Sequence, residues 1–344
     1  MTKVDSVQAG KRSAWRFPLP AFLAAIALMG PVSVGVASCS LPEVGGTTTV
    51  APARQFDVEN LTFSVITHAS AGDEFWDRVE SGARQAAADY GVTVLWSSDS
   101  DPGGQSLLIQ QAIAAESDGI VVSIANPDGL ASAISQAVAA GIPVVSINSG
   151  LEVWRDFGAI THVGQSETIA GTAAGTELAA LGATNGICII HEAGNIGLQE
   201  RCAAAAAAMG GRLDTLQVDG GNPAAIASTV SARLQTDPTI DAVLALQGAV
   251  GVQAAAATAA AGSDAVVATF DISTNVLHDV INGSLAFAID QQPYVQGFMS
   301  ITALYLRATN GNVVGGGEAI YSGPALVTID NAAQILQYAE LGTR

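Results

Sequence analysis

From Leu61 onward the chain alternates short apolar stretches with helix-patterned ones, and this alternation restricts its fold more than any single motif does. The stretches that read as strands are residues 61–67, 92–96, 119–124, 142–147 and 159–163, followed by 186–191, 213–218, 242–246, 265–270 and 285–289. Runs such as Ile120-Val121-Val122-Ser123-Ile124 offer apolar side chains to both faces, as a strand inside a parallel sheet must. Between them, Phe75, Val79, Ala83, Ala87 and Tyr90 recur at helical spacing. Repeated β-α-β units produce parallel sheets with helices on both faces, because each crossover returns the chain to the same edge in the same direction. Ten such strands divide more naturally into two doubly wound lobes than into one wide sheet. The expected class is therefore α/β, with two parallel-sheet lobes.

The segment before this body has a different character. Lys3, Lys11, Arg12 and Arg16 precede an uncharged apolar stretch from Phe17, which ends in Val36-Ala37-Ser38-Cys39. A basic start, an apolar middle and small residues before a cut describe a secretory signal. The Cys at the cut resembles the lipobox of bacterial lipoproteins, which implies a diacylated Cys39 as the mature N-terminus. An uncleaved membrane anchor is the alternative, but Pro18, Pro20, Gly30, Pro31 and Gly35 make a poor span and leave the small-small-Cys ending unexplained. The expectation is a signal peptide over 1–38 and a lipidated tether over 39–60, aperiodic and containing Gly45-Gly46-Thr47-Thr48-Thr49. That places the protein outside the cytoplasm, held on the outer face of the cell membrane.

Charge and cysteine usage agree with that compartment. The formal net charge is −18 and no Lys follows Lys11, so no basic stripe exists for nucleic acid or anionic lipid. With Cys39 lipidated, Cys188 and Cys202 remain; outside the cytoplasm such a pair suggests a disulfide, two separately buried thiols being the alternative. No CxxC or Cys/His spacing signals a metal, and no cofactor motif is present.

In doubly wound sheets ligands sit beyond the carboxyl ends of the strands. Those positions are unusually polar here: His68, Asp73, Phe75 and Trp76 after the first strand, Asn126 and Asp128 after the third, Asn148 and Ser149 after the fourth. In the second half, His191 and Asn195 lead to Arg201, and Gln247, Asp271 and Gln291 each end a strand. Turn chemistry accounts for some Asn, Asp and Ser, but not for Arg201, Gln247 and Gln291, whose long side chains make poor turns.

At these residues the chain resembles type I periplasmic solute-binding proteins, the ribose-type components of sugar ABC importers. The resemblance runs from about Leu61 to Thr328 and rests on the order and spacing of several pieces. These are Asp73-Glu74-Phe75-Trp76, Asp118-Gly119-Ile120, Ala140-Gly141-Ile142-Pro143-Val144, Val163-Gly164-Gln165, Glu200-Arg201-Cys202, Phe270-Asp271 and Ile289-Asp290-Gln291-Gln292-Pro293-Tyr294. It implies two lobes joined by three crossovers, near His162, Gln291 and Gly323, with residues 61–161 and 292–322 in one lobe and 162–291 and 323–344 in the other. It also implies that Phe75 and Trp76 sandwich a sugar ring, that Asp73, Asn126 and Asn148 bind from the first lobe, and that Arg201, Gln247, Asp271 and Gln291 bind from the second lobe and hinge.

The chemistry suits such a ligand independently. A polyol has apolar C–H faces for aromatic contact and hydroxyls that both donate and accept. The chain departs from the ribose pattern where Asn148-Ser149 replaces an Asp-Arg pair, and where His68 and Gln247 replace smaller polar groups. More amides and fewer charges suit a small neutral carbohydrate or polyol. Other readings stay open at single residues: one of Phe75 and Trp76 as core packing, Asp271 as a helix cap, Arg201 paired with Glu200 or Glu192. With no nucleophile elbow, HExxH or P-loop, catalysis is not expected. The expected role is a monomeric binding protein delivering solute to an ABC permease, or alternatively presenting its closed form to a sensory membrane protein.

Overall fold

The structure, a computed structural model, describes residues 55–70 and 72–344. The expected signal peptide and Cys39 lie outside the described residues, as does most of the expected tether.

The first sheet comes from β1 (Thr62–Thr67), α1 (Glu74–Tyr90), β2 (Thr93–Ser98), α2 (Pro102–Ala114), β3 (Gly119–Ser123), α3 (Pro127–Ala139), β4 (Val144–Asn148) and β5 (Thr161–Gly164). The chain then crosses to α4 (Glu167–Ala180), β6 (Asn185–Ile190), α5 (Ile196–Met209), β7 (Arg212–Gln217), α6 (Pro223–Thr236), β8 (Ala242–Ala245), α7 (Gly248–Ala260), β9 (Val266–Phe270), α8 (Thr274–Asn282) and β10 (Ala288–Asp290). It returns through α9 (Pro293–Asn310) to β11 (Ile320–Tyr321), and crosses a third time to β12 (Ala325–Val327) and α10 (Ala332–Glu340).

The two sheets have the orders β11-β5-β4-β3-β1-β2 and β12-β10-β9-β8-β6-β7. Every pairing is parallel except β10 with β12. The central strands β3 and β4 are wholly buried, whereas β2 and β7 are partly exposed because they lie at edges. The fold is thus the type I periplasmic-binding-protein architecture: two doubly wound lobes joined three times.

The boundaries differ from expectation in two places. β5 pairs with β4 through Val145–Thr161 and Asn148–Gly164, so residues 162–164 belong to the first sheet and the first crossover follows Gly164. The expected tether also ends early: Phe56 packs against the first-lobe core, and Asn60 closes a turn on Asp57.

Helix starts are set by side chains that accept otherwise unbonded backbone N–H groups. Asp73, Asp101, Asn126, Ser166, Asn195, Asn222 and Ser273 do so, a contact worth about 0.5–2 kcal/mol each. Where α1 crosses α9, the backbones approach too closely for any side chain. A Cβ on Gly82 would strike the Tyr294 carbonyl, and one on Gly297 the Val79 carbonyl. This crossing fixes the start of α1, and with it one wall of the cleft.

Candidate functional site

The carboxyl ends of both sheets face a polar cleft whose enclosed space is about 30 Å³, well below the roughly 300–1,000 Å³ usual for ligand sites, with hydrogen bonds running from wall to wall across it. Two cleft residues turn there on left-handed backbone, Asn148 at the end of β4 (φ 61°) and Asp271 just past β9 (φ 64°). Asn and Asp tolerate that conformation better than other side chains, which is a local reason for finding them at these positions.

The first-lobe wall is aromatic. Phe75 and Trp76 stand edge to face at 5.1 Å, and His68 meets Trp76 edge-on at 4.9 Å. Beside them Asp73 uses one carboxylate oxygen on the Phe75 backbone N–H (3.0 Å), and its other accepts from Gln247 Nε2 across the cleft (2.7 Å). The Ser123 hydroxyl accepts the His68 backbone N–H (3.0 Å) and lies 2.7 Å from His68 Nδ1. With its lone pairs approached by N–H groups, this hydroxyl donates to Nδ1, a tautomer assigned from the network. His68 Nε2 then carries the proton and points toward Glu192 at 3.7 Å.

The second-lobe wall is built on a buried ion pair. Arg201 grips Glu167 with both Nε and Nη2, and both side chains are only 4% exposed. Nη2 also donates to Gln291 Oε1 (3.0 Å), while the guanidinium lies 4.9 Å from the Phe270 ring centre. Gln291 in turn donates to Asp271 Oδ1 (2.6 Å), and Asn148 Nδ2 reaches Gln291 Oε1 at 3.4 Å. Gln291, on the second crossover, thereby touches groups from both lobes.

Burial dominates the electrostatics. It pushes the Asp271 carboxyl up to about 7, against the pull of Arg201 and the Gln291 hydrogen bond, and the Asp73 carboxyl up to about 6. Burial also holds His191 down at about 4 and lowers His68, so both imidazoles are neutral at pH 7. The cleft therefore presents amides, imidazoles, two carboxylates whose ionisation burial disfavours, the Glu192 carboxylate held low by its neighbours, and one paired guanidinium, a set able both to donate and to accept hydrogen bonds. Among the described residues, no cluster of three or more His, Cys, Asp or Glu side chains is arranged to hold a metal ion.

Nine of the ten residues expected from the sequence line this one cleft: His68, Asp73, Phe75, Trp76, Asn148, Arg201, Gln247, Asp271 and Gln291. Asn126 does not. Its carbonyl oxygen accepts from Gly129 N–H (2.9 Å) and caps α3, and it lines an adjoining hollow that shares His68, Glu192 and Asn195 with the cleft. Ser149, His191, Glu192, Asn195, Leu198 and Leu246 join the lining although they were not among the expected site residues. Asn195 donates to Glu192 (2.7 Å), which also lies 3.7 Å from His191 Nε2. Arg201 pairs with Glu167 rather than with Glu200 or Glu192. Cys188 and Cys202 form a disulfide from β6 to α5, Cα atoms 5.8 Å apart, so the two-thiol alternative falls away.

Two α/β lobes, three crossovers and a polar cleft at the strand ends define a solute-binding architecture. The description "Periplasmic binding protein domain" matches residues 63–312, and the chain belongs to that family. Among solved structures it is similar to a carbohydrate transporter from Acidothermus cellulolyticus 11B in complex with myo-inositol. That match has a TM-score of 0.81 and 42% identity, and covers 83% of this chain and 100% of that one. A solute-binding protein of an ABC transporter from Burkholderia graminis C4D1M, in complex with D-arabinose, shares the fold at TM-score 0.72. It is 23% identical, with 80% and 98% of the two chains covered. The xylose/arabinose-binding protein XylF of Sulfolobus acidocaldarius is 24% identical over 224 residues, which are 60% of this chain and 56% of that protein's length.

Proposed function

We propose that this protein is an extracytoplasmic binding lipoprotein of an ABC importer, which captures a small cyclic polyol or sugar between its lobes and delivers it to the membrane permease. The observation that carries this reading is the cleft itself. The Phe75–Trp76 pair bounds it on one side, and Asp73, Asn148, Arg201, Gln247, Asp271 and Gln291 surround the rest. Aromatic rings suit the C–H faces of one ring, and carboxylates and amides suit its hydroxyls. An analogue lacking one hydroxyl leaves a buried group unpaired, at a cost of about 1–3 kcal/mol, so the cleft discriminates by hydroxyl pattern.

Myo-inositol is the first ligand to test, because the 42% identical Acidothermus protein was crystallised with it and is covered over its whole length. A cyclitol is uncharged and lacks the anomeric carbon of a pentose. The departure at Asn148-Ser149 from the ribose pattern supports the same direction. Titration calorimetry of residues 51–344 against myo-inositol, D-arabinose, xylose and ribose decides it. Micromolar or tighter binding of one of them, about −8 kcal/mol, is expected. Heat from none of the four would remove the carbohydrate reading. The anchoring part rests on Val36-Ala37-Ser38-Cys39 and is tested separately: radiolabelled palmitate should enter the full chain and not its Cys39→Ala variant.

A further inference from the structure

The cleft does not end at the narrow inner space. It opens into an outer hollow of about 330 Å³, and six residues line both: Asp73, Phe75, His191, Glu192, Gln247 and Asp271. The Asp73–Gln247 hydrogen bond, which ties the lobes together, lies on the boundary between the two spaces. Beyond it the hollow is walled by the Asp219–Gly221 turn and by the start of α7.

Two features of this hollow are unspent. The α7 N-terminus has no side-chain cap, and the Gln247 that precedes it donates its Nε2 to Asp73. The first N–H groups of α7, on Gly248 and Ala249, therefore have no intrahelical partner and border the hollow. Independently, His191 Nδ1 is buried with no hydrogen-bond partner, and its side chain, 7% exposed, lines both spaces. A buried polar atom left unpaired is destabilising unless a ligand supplies the bond. The walls also carry Glu74 and Asp219, and the chain's net charge is −18, so a phosphate or carboxylate substituent is disfavoured.

We propose that the outer hollow is an extension subsite that accepts a neutral glycosyl substituent on the ring held in the inner cleft. The protein then takes a glycosylated polyol as well as the free one. The substituent's hydroxyls replace the Asp73–Gln247 bond, meet His191 Nδ1, and fill the space in front of α7. This rests on the reading that the inner cleft binds a polyol.

The test uses residues 51–344, with myo-inositol and its α-galactoside as paired probes in calorimetry. Gly221 lines only the outer hollow, is exposed, and has nothing nearer its Cβ position than Asp219 Oδ1 at 3.4 Å, so Gly221→Trp fills the hollow without touching the inner cleft. The galactoside is expected to bind the wild type within about tenfold of myo-inositol. Gly221→Trp should weaken the galactoside by about tenfold or more and leave myo-inositol unchanged. If myo-inositol binds and the galactoside does not, the subsite is overturned while the inner-cleft reading survives. Equal galactoside affinity in wild type and Gly221→Trp also overturns it. If neither probe binds, myo-inositol is not the ring held in the inner cleft, and this inference falls while the other sugars remain for the wider reading.

Discussion

Asp271→Asn should stabilise the ligand-free protein while weakening its ligand binding, and the stabilisation should grow with pH. Asp271 is buried, and that burial raises its carboxyl from 3.8 to about 7. A carboxylate whose folded pKa is raised leaves stability intact below the unfolded value and removes it as pH climbs through the folded one. That rise costs roughly 4 kcal/mol of stability by pH 8 and about 2 kcal/mol at pH 5. Asparagine keeps an oxygen that accepts the Gln291 amide and has no charge to bury, and Arg201 keeps its Glu167 partner. The variant should therefore gain roughly 2 kcal/mol more at pH 8 than at pH 5, a few degrees in melting temperature for a body of this size. Scanning calorimetry of both proteins at the two pH values measures it directly. A gain of the same size at both would refute the argument, because it would mean that Asp271 ionises in the folded protein as it does in water. The same variant should bind its ligand about tenfold to a hundredfold more weakly, since a charge-assisted acceptor becomes a neutral one.

Other perturbations test the supports of the site. Glu167→Gln strands a buried guanidinium and should destabilise by about 3–5 kcal/mol in urea unfolding; a loss under 1 kcal/mol would show that Arg201 is solvated. Reduction of Cys188–Cys202, 14 residues apart in sequence, should lower stability by about 3 kcal/mol, and native protein should titrate no free thiol at these positions. Gly82→Ala places a methyl on the Tyr294 carbonyl and should cost about 1–3 kcal/mol, with the melting temperature falling accordingly; an unchanged melt would mean that α1 and α9 separate freely.

The fold was legible because its signal is distributed: strands apolar on both faces, repeated between helical periods, leave few architectures. What escaped was short or non-local. β11 and β12 span two and three residues, too few for any periodicity, and they are strands only because β5 and β10 offer them an edge. The end of β5 at Gly164 is set by pairing with β4, not by composition. For the site, the rule that ligands gather past strand ends found most of the cleft, and failed at Asn126 for a definable reason. Asn126-Pro127-Asp128-Gly129 is a helix start, and the Asn oxygen is used on the Gly129 amide. Glu167 was invisible because its partner lies 34 residues away and no local pattern marks the pair. Phe75 and Trp76 resolve the choice between packing and cleft by doing both, since each lines the cleft and belongs to the first-lobe core.

The hydrogen bonds of the cleft divide into two sets with different fates. Arg201 with Glu167, the adjacent disulfide and the Ser123–His68 bond tie each wall to its own lobe, so they persist whether the lobes are together or apart. Asp73 with Gln247 and Asn148 with Gln291 cross between first-lobe and second-lobe or hinge groups, and they occupy the donors and acceptors a polyol would use. A ligand therefore exchanges hydrogen bonds instead of creating them all anew. Its net gain comes from aromatic contact, from supplying unpartnered groups such as His191 Nδ1, and from bonding two carboxylates that burial otherwise holds near neutrality. Gln291 is where the sets meet: it is bonded at once to Asp271, Arg201 and Asn148, and it sits on a crossover. A side chain so placed makes the state of the cleft a determinant of the hinge, which is how occupancy by a small neutral molecule can be read from outside the cleft as the angle between two lobes.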